Sequence, residues 1–279
     1  MQPRWFSERN QQLFGTSRPV AMVTGSAADR VGRKVALTFF ERQFNVVFHA
    51  HTENRQDNQW IDSLDSSNQQ VLRVSGPVEQ PESCQRWLDQ IMAKWGRIDV
   101  LVNSAAIWQP KTLEQTELMD LRQHIEVNLL GSFLTSQRFG LQMAGQASGG
   151  AIVQIGDWAV QRPYAGFSAY FLSKGGIGTL TRSLAVELAS RNPKIRVNAV
   201  LPGPVMLAKG VGQQKSKRIE QDCLLKRAGT AQDVAEAVYF LATSPFITGA
   251  CLPVDGGRSI FSGPMSDSIA HPDYDATSG

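Results

Sequence analysis

Short apolar runs alternate with longer segments whose apolar residues recur at helical spacing. Residues 20–24 form an apolar, β-branched-rich run that ends at a glycine, and residues 31–43 carry the helical pattern, which predicts a strand followed by a helix. The same reading places strands at 45–49, 71–74, 99–103, 151–155, 196–200 and 250–254. Between them it places helices at 81–95, 118–143, 168–190 and 231–242. Pro81 opens its helix, where a missing N–H costs nothing, and the small residues 147–150 make a turn before the next strand. Strands alternating with helices form right-handed βαβ units, so the expected architecture is α/β, a doubly wound parallel sheet covered on both faces. No repeat and no linker divides the chain. The expected organisation is one domain over 18–261, a polar N-terminal arm at 1–17 and a loose C-terminal tail at 262–279.

Composition narrows the function classes. The 279 residues are 42% hydrophobic and 19% charged, which excludes a disordered or fibrous chain. No apolar run is long enough to span a bilayer, and the N-terminus lacks the apolar core of a secretory signal. Cys84, Cys223 and Cys251 are odd in number and in no metal spacing, so the expectation is a cytoplasmic protein without disulfides or a metal site. The 28 basic and 25 acidic residues leave a net charge of +3, too small a surplus to indicate a nucleic-acid partner.

Candidate chemistry begins where the first strand turns into the first helix. The turn Thr24-Gly25-Ser26-Ala27-Ala28-Asp29-Arg30-Val31-Gly32 is small and glycine-bearing, so its backbone can approach a pyrophosphate beside a helix N-terminus. This is the Rossmann-type arrangement. An NAD site usually carries a carboxylate at the end of the second strand, but here the sequence is His49-Ala50-His51-Thr52, with Glu53 beyond it. A carboxylate would repel a 2′-phosphate, so its absence predicts NADP, with Arg30, His49, His51 and Thr52 available as partners. The bland alternative for the two histidines is loop packing, and two histidines without a third ligand do not make a metal site.

Tyr170 and Lys174 are four residues apart on a predicted helix that starts at the carboxyl end of the sheet, so they share a face. A lysine beside a phenol is expected to lower its pKa and prepare it for proton transfer. Together with Thr24-Gly25, Leu101-Val102-Asn103-Ser104-Ala105-Ala106, Asn128, Asn198 through Pro202-Gly203-Pro204-Val205, Ile247-Thr248-Gly249 and Val254-Asp255-Gly256-Gly257, these residues resemble the short-chain dehydrogenase/reductase family over about 18–261. The resemblance implies that Tyr170 is the proton donor, that Lys174 binds the nicotinamide ribose and tunes Tyr170, and that Asn128 holds a relay water. It implies further cofactor contacts at Gly25, Val31, Asn103, Ala105, Pro202, Gly203 and Val205. Homotetramers are common among such proteins, and the expected assembly follows them.

One departure points to a substrate. Thirteen residues before Tyr170, where the family usually has serine, stands Asp157. A hydroxyl donates to a carbonyl, whereas an ionised carboxylate only accepts, which suits a nitrogen heterocycle with N–H donors and a reducible C=N bond. Asp157, Arg30-Val31-Gly32, His49-Ala50-His51 and Trp108 together resemble the pteridine reductases and dihydromonapterin reductases. The implied substrate is a pterin stacked on Trp108 and contacted by Arg30, Asp157 and Tyr170. Other positions depart from that pattern: the phosphate turn is one residue longer, Thr52 replaces an arginine, no aspartate closes the third strand, and no threonine follows Pro202-Gly203. The segment 207–221 reads as a flap over the substrate, and its Lys215-Ser216-Lys217-Arg218 run as a solvated face. Two other functions are open: a general carbonyl or alcohol oxidoreductase, and a dinucleotide-sensing binding protein without turnover. The latter has no use for Tyr170, Lys174 and Asn128 together.

Overall fold

The computed structural model describes residues 2–65, 67, 69–206 and 212–261. The expected tail at 262–279 and the first part of the expected flap, 207–211, lie outside the described residues.

Seven strands make one sheet: β1 (Val20–Val23), β2 (Asn45–Ala50), β3 (Val71–Ser75), β4 (Val100–Asn103), β5 (Gly150–Ile155), β6 (Ile195–Pro202) and β7 (Cys251–Val254). Their order is β3-β2-β1-β4-β5-β6-β7, and every pair is parallel. The central strands are apolar at consecutive positions because both faces are covered. Ala21, Val23, Val46, Phe48, Val100 and Val102 enter one core, while Val20, Met22, Val47 and Leu101 enter the other.

The first core is covered by α1 (Gln2–Phe14), α2 (Val31–Glu41), α3 (Arg55–Leu64) and α9 (Ala231–Thr243), through residues such as Phe14, Phe39, Ile61 and Val238. The second is covered by α4 (Pro81–Trp95), α6 (Gly131–Ala144) and α7 (Ser168–Ala189), through Trp87, Phe139 and Ile177. Helix α5 (Leu118–His124) leads through a π turn (Ile125–Leu130) into α6, so the predicted long helix exists with a widened turn inside it. Helix α8 (Gln213–Gln221) occupies most of the remaining segment read as a flap. No helix among the described residues is long and apolar enough to cross a membrane.

The N-terminal segment read as a polar arm is a packed helix. Phe6, Asn10 and Phe14 recur at four-residue spacing and form one stripe. Phe14 is buried, Phe6 meets the Tyr239 ring edge-on at 6.3 Å, and the buried Asn10 amide donates to the Arg42 carbonyl at 3.0 Å. Helix α3 was not legible as a helix either. Its cap is Asn54, whose side chain accepts the Gln56 N–H at 2.8 Å, and Trp60 packs edge-on to Phe48.

Candidate active site

The carboxyl ends of β1 and β4 flank the point where strand order reverses, which is where open parallel sheets form a crevice. The turn after β1 is built for close backbone approach. Gly25 has φ +66°, and a Cβ on it would lie 2.8 Å from Ala105 Cα; a Cβ on Gly32 would lie 2.8 Å from the Gly25 carbonyl oxygen. The Thr24 hydroxyl accepts the N–H groups of Ser104 and Ala105, both at 3.0 Å, and so ties this turn to the end of β4. Arg30 is the exposed residue that precedes α2, and Val31 is its first residue. The head of α2 leaves N–H groups without intrahelical acceptors, and the macrodipole adds partial positive charge there. Small residues, a tight glycine contact and a helix N-terminus fit a dinucleotide pyrophosphate.

His49 does not serve as expected. The ring is 1% exposed, with Nδ1 accepting the Gly25 N–H at 2.9 Å and Nε2 paired with the Gly76 carbonyl at 2.9 Å. The carbonyl partner requires the proton on Nε2, so the imidazole is neutral. Burial is the main reason its pKa falls to about 4, with repulsion from His51 adding to it. His49 is therefore a strut under the glycine turn, with no nitrogen left for a cofactor. His51 and Thr52 are exposed just past β2 and keep the positions expected of them.

Asn103 turns its side chain inward. Its side-chain nitrogen donates to the Ser132 carbonyl, Ser136 Oγ and Gln154 Oε1, and its oxygen accepts from Thr135 at 2.8 Å. The amide is spent holding α6 against β4 and β5, so the side chain has nothing to offer a cofactor. At the far end of the sheet Pro202 closes β6. The Gly203 N–H donates to the Val254 carbonyl at 2.9 Å, a Cβ there would lie 2.5 Å from Asp255 Cα, and Val205 packs against the first core.

Four of the predicted residues meet at one place. The Tyr170 hydroxyl donates to Asp157 Oδ2 at 2.7 Å, and Asp157 Oδ1 accepts the Ala159 N–H at 2.7 Å, capping a short 3₁₀ turn (Trp158–Val160). Lys174 Nζ donates to the Ile155 carbonyl at 2.7 Å, one turn along α7 from Tyr170. Asn128 lies in the π turn; its oxygen accepts the Ile107 N–H at 2.8 Å, and its nitrogen donates to the Ile107 carbonyl at 3.0 Å and to Ser173 Oγ at 2.9 Å. Ser173 in turn donates to the Tyr170 carbonyl at 2.7 Å. The widened turn thus joins Asn128 to the loop after β4 that carries Ile107 and to the Tyr170 turn of α7, a use typical of π bulges at functional sites.

The electrostatics reverse one expectation. Burial, followed by the neighbouring Asp157 carboxylate, pushes the Tyr170 pKa well above its ordinary value. Lys174 does not lower it in this geometry, because the ammonium is directed at the Ile155 carbonyl and the carboxylate sits on the phenol. Burial raises the Asp157 pKa against the stabilising Tyr170 hydrogen bond, and lowers Lys174 to about 8 against the attraction of Asp157. The arrangement can hold one proton between a carboxylate and a phenol, with a titratable ammonium behind them.

Trp108 is 47% exposed and stacks on Phe167, with centroids 4.7 Å apart and planes 15° apart. Sequence reasoning found Trp108 but not the wall behind it. Tyr164 meets Phe167 and Phe171 edge-on at 5.3 and 4.9 Å, and Phe171 adjoins Tyr170 at 5.5 Å. The signal was present as aromatic residues at 164, 167 and 171 around Tyr170.

Comparison with known proteins agrees with this geometry. The family described as enoyl-(acyl carrier protein) reductase matches residues 25–259. Carbonyl reductase family member 4 of Xenopus tropicalis is 38% identical over 194 residues, covering 68% of this chain and 78% of the relative. The short chain dehydrogenase/reductase astE of Aspergillus oryzae is 31% identical over 261 residues, covering 90% and 98%. The ligand-free aldohexose dehydrogenase of Thermoplasma acidophilum superimposes with TM-score 0.77 at 28% identity, over 89% of this chain and 96% of that one. With a parallel seven-stranded sheet, a glycine turn at its crevice and a Tyr170–Lys174 helix beside it, the chain belongs to the short-chain dehydrogenase/reductase family of oxidoreductases.

Proposed function

We propose that this protein is an NADPH-dependent reductase acting on a C=N bond of a dihydropterin-like heterocycle. The observation that carries the reading is the 2.7 Å bond from Tyr170 to Asp157. A site with serine at that position presents a neutral donor to a carbonyl oxygen, but this one presents a hydrogen-bonded carboxylate. That carboxylate suits ring N–H groups and is unfavourable beside the developing oxyanion of a reduced ketone.

When bound, the reduced nicotinamide supplies the hydride. The Gly25 turn and the Arg30–Val31 head of α2 hold the pyrophosphate, and Ala105 lets the backbone come close. His51 and Thr52, just past β2, would meet the 2′-phosphate, while Pro202, Gly203 and Val205 would flank the nicotinamide. Lys174 serves the ribose and keeps positive charge near Asp157. Trp108 stacks the pterin, with Arg30 at its edge. Asp157 orients the ring through its N–H groups and, with its pKa raised by burial, passes a proton to the ring nitrogen in concert with Tyr170. Asn128 fixes the backbone around Tyr170 and positions a relay water. Exposed Phe133 and Leu141 on α6, with Leu172 and Val186 on α7, support assembly as a homotetramer. The three free cysteines suit a reducing, cytoplasmic setting.

A second reading, a general carbonyl or alcohol oxidoreductase, is favoured by the names of the relatives, carbonyl reductase among them. The test is the ratio of kcat/KM for a dihydropterin to that for a simple ketone, in wild type and Asp157→Ser. The expected outcome is a fall of at least about tenfold with the pterin, equivalent to ~1.4 kcal/mol, with ketone reduction unchanged or raised. Asp157→Asn also lowers pterin turnover. An unchanged ratio transfers the assignment to the carbonyl reading.

A further inference from the structure

His124, the last residue of α5, turns a polar ring into the protein and leaves one of its nitrogens unmet. The ring is 1% exposed, and Nδ1 donates to the Asp120 carbonyl, one turn back, at 2.8 Å. In the neutral imidazole the other nitrogen is then an acceptor. That nitrogen, Nε2, is buried without a hydrogen-bond partner among the described residues. Leaving a buried acceptor unmet is costly, and native structures generally satisfy such groups with protein or ordered water. The same ring meets Tyr170 edge-on, with centroids 6.5 Å apart.

A complementary need lies across a small cavity. Ser168 and Ala169, at the head of α7, line it together with His124, Lys111 and Asp120. Phe167, which precedes the helix, offers no side-chain cap, and the first ladder bond runs from the Phe171 N–H to the Phe167 carbonyl at 2.9 Å. The N–H groups of Ser168, Ala169 and Tyr170 therefore precede the ladder and need an acceptor from outside it. Lys111 and Asp120 pair with each other at 2.7 Å, so their charges are met within the wall of the cavity. Pinning Nδ1 to the Asp120 carbonyl turns Nε2 away from α5, towards the cavity that the ring lines. The cavity has a volume of about 10 Å³, close to the least that one buried water requires.

We infer that this cavity binds one water molecule, which accepts from the head of α7 and donates to His124 Nε2, and that His124 is thereby a positioning residue for Tyr170. A water meets both needs at once, because it accepts from a helix N–H and donates to an imidazole lone pair. Fixing the head of α7 fixes Tyr170 two residues on, and with it the approach of the phenol to Asp157 Oδ2. The inference deepens the proposed function. It rests on Tyr170 acting on the reacting group, not on the substrate being a pterin.

Three variants of the full chain separate the acceptor from the bulk of the ring. His124→Gln places a carboxamide oxygen near the position of Nε2, His124→Asn reaches only as far as Nδ1, and His124→Leu keeps volume without an acceptor. Kinetics use the dihydropterin or the ketone, whichever the wild type reduces, so failure of the pterin reading does not decide this one. In His124→Leu and His124→Asn, kcat should fall about fivefold, which is ~1 kcal/mol or one net hydrogen bond, while His124→Gln recovers most of the loss. The NADPH dissociation constant should stay unchanged in all three. Wild-type kcat in His124→Leu, or no recovery in His124→Gln over His124→Asn, overturns the positioning role. Two measurements on the wild type need no variant to fold. The ¹⁵N spectrum of the ring should show the proton on Nδ1 and a lone pair on Nε2, and a crystal structure should place a water within hydrogen-bonding distance of Nε2 and of the Ser168 or Ala169 N–H. A ring protonated on Nε2, or a ring in direct contact with the helix head, overturns the water site.

Discussion

Acid should weaken this protein through one residue in particular. His49 holds the glycine turn through Gly25 and the end of β3 through Gly76, and it can do so only as a neutral ring. Protonating Nδ1 replaces an acceptor with a donor opposite the Gly25 N–H and places a charge in a site that is 1% exposed. The fall from the ordinary 6.5 to about 4 is worth about 3 kcal/mol at ~1.4 kcal/mol per pH unit. The sign follows from linkage. Between those two values the unfolded chain binds a proton that the folded chain refuses, so the stability is complete above pH 6.5 and is lost as pH falls towards 4. Urea unfolding of wild type and His49→Gln across this range isolates the contribution, because glutamine can accept from Gly25 and donate to Gly76 without titrating. The expected outcome is a wild-type stability that falls more steeply than that of the variant, by about 3 kcal/mol over the whole window. Parallel curves would refute the reasoning. A ring titration followed by NMR in the wild type gives an independent check, and a midpoint near 6.5 would refute it as well.

Three further outcomes are expected. Trp108→Ala should weaken a flat pterin about tenfold or more, from loss of a stacking face worth roughly 1–3 kcal/mol, and barely affect a small aliphatic ketone; equal losses in KM would make Trp108 a packing residue. NADPH should bind at least about tenfold more tightly than NADH, a difference of ~1.4 kcal/mol, and Thr52→Asp should shift the preference towards NADH; equal dissociation constants in wild type would remove the NADP assignment. Because Lys174 has a pKa lowered to about 8, its charge is present at neutral pH and lost as pH rises through that value, so kcat/KM should decline on that limb. Lys174→Arg keeps the cation, and a basic limb that does not move in this variant would assign the decline to another group.

Sequence patterning revealed what depends on periodicity and spacing. The seven strands were legible as short apolar runs, uninterrupted in the central strands because both faces are covered, and five of the longer helices by the helical spacing of their apolar residues. The thirteen-residue interval between Asp157 and Tyr170 was equally informative, since a strand, a turn and a helix start carry both residues to one point. Less legible was anything governed by a side chain's choice of direction. Asn103 and His49 have residue types that could meet a ligand, yet each has inward partners that satisfy its polar groups. Helices α1 and α3 were hidden by polar composition, because a stripe of three residues or a single cap is enough to dock a short helix once a core exists beside it.

Tyr170 shows why counting residues cannot replace geometry in judging chemistry. Four-residue spacing correctly places Lys174 on its face, but spacing does not set which atom the ammonium meets. Here the ammonium meets the Ile155 carbonyl, and the phenol meets a carboxylate. Asp157 therefore changes more than the substrate group it can face. It holds the phenol's proton in a hydrogen bond and raises the cost of a phenolate, so in the proposed reaction proton delivery would involve the carboxyl as well as the phenol. Under the proposed function, a ring nitrogen protonated before the hydride arrives tolerates this arrangement, because the iminium becomes a neutral amine beside Asp157. A ketone oxygen instead develops negative charge as the hydride arrives, and for it the carboxylate is the wrong neighbour.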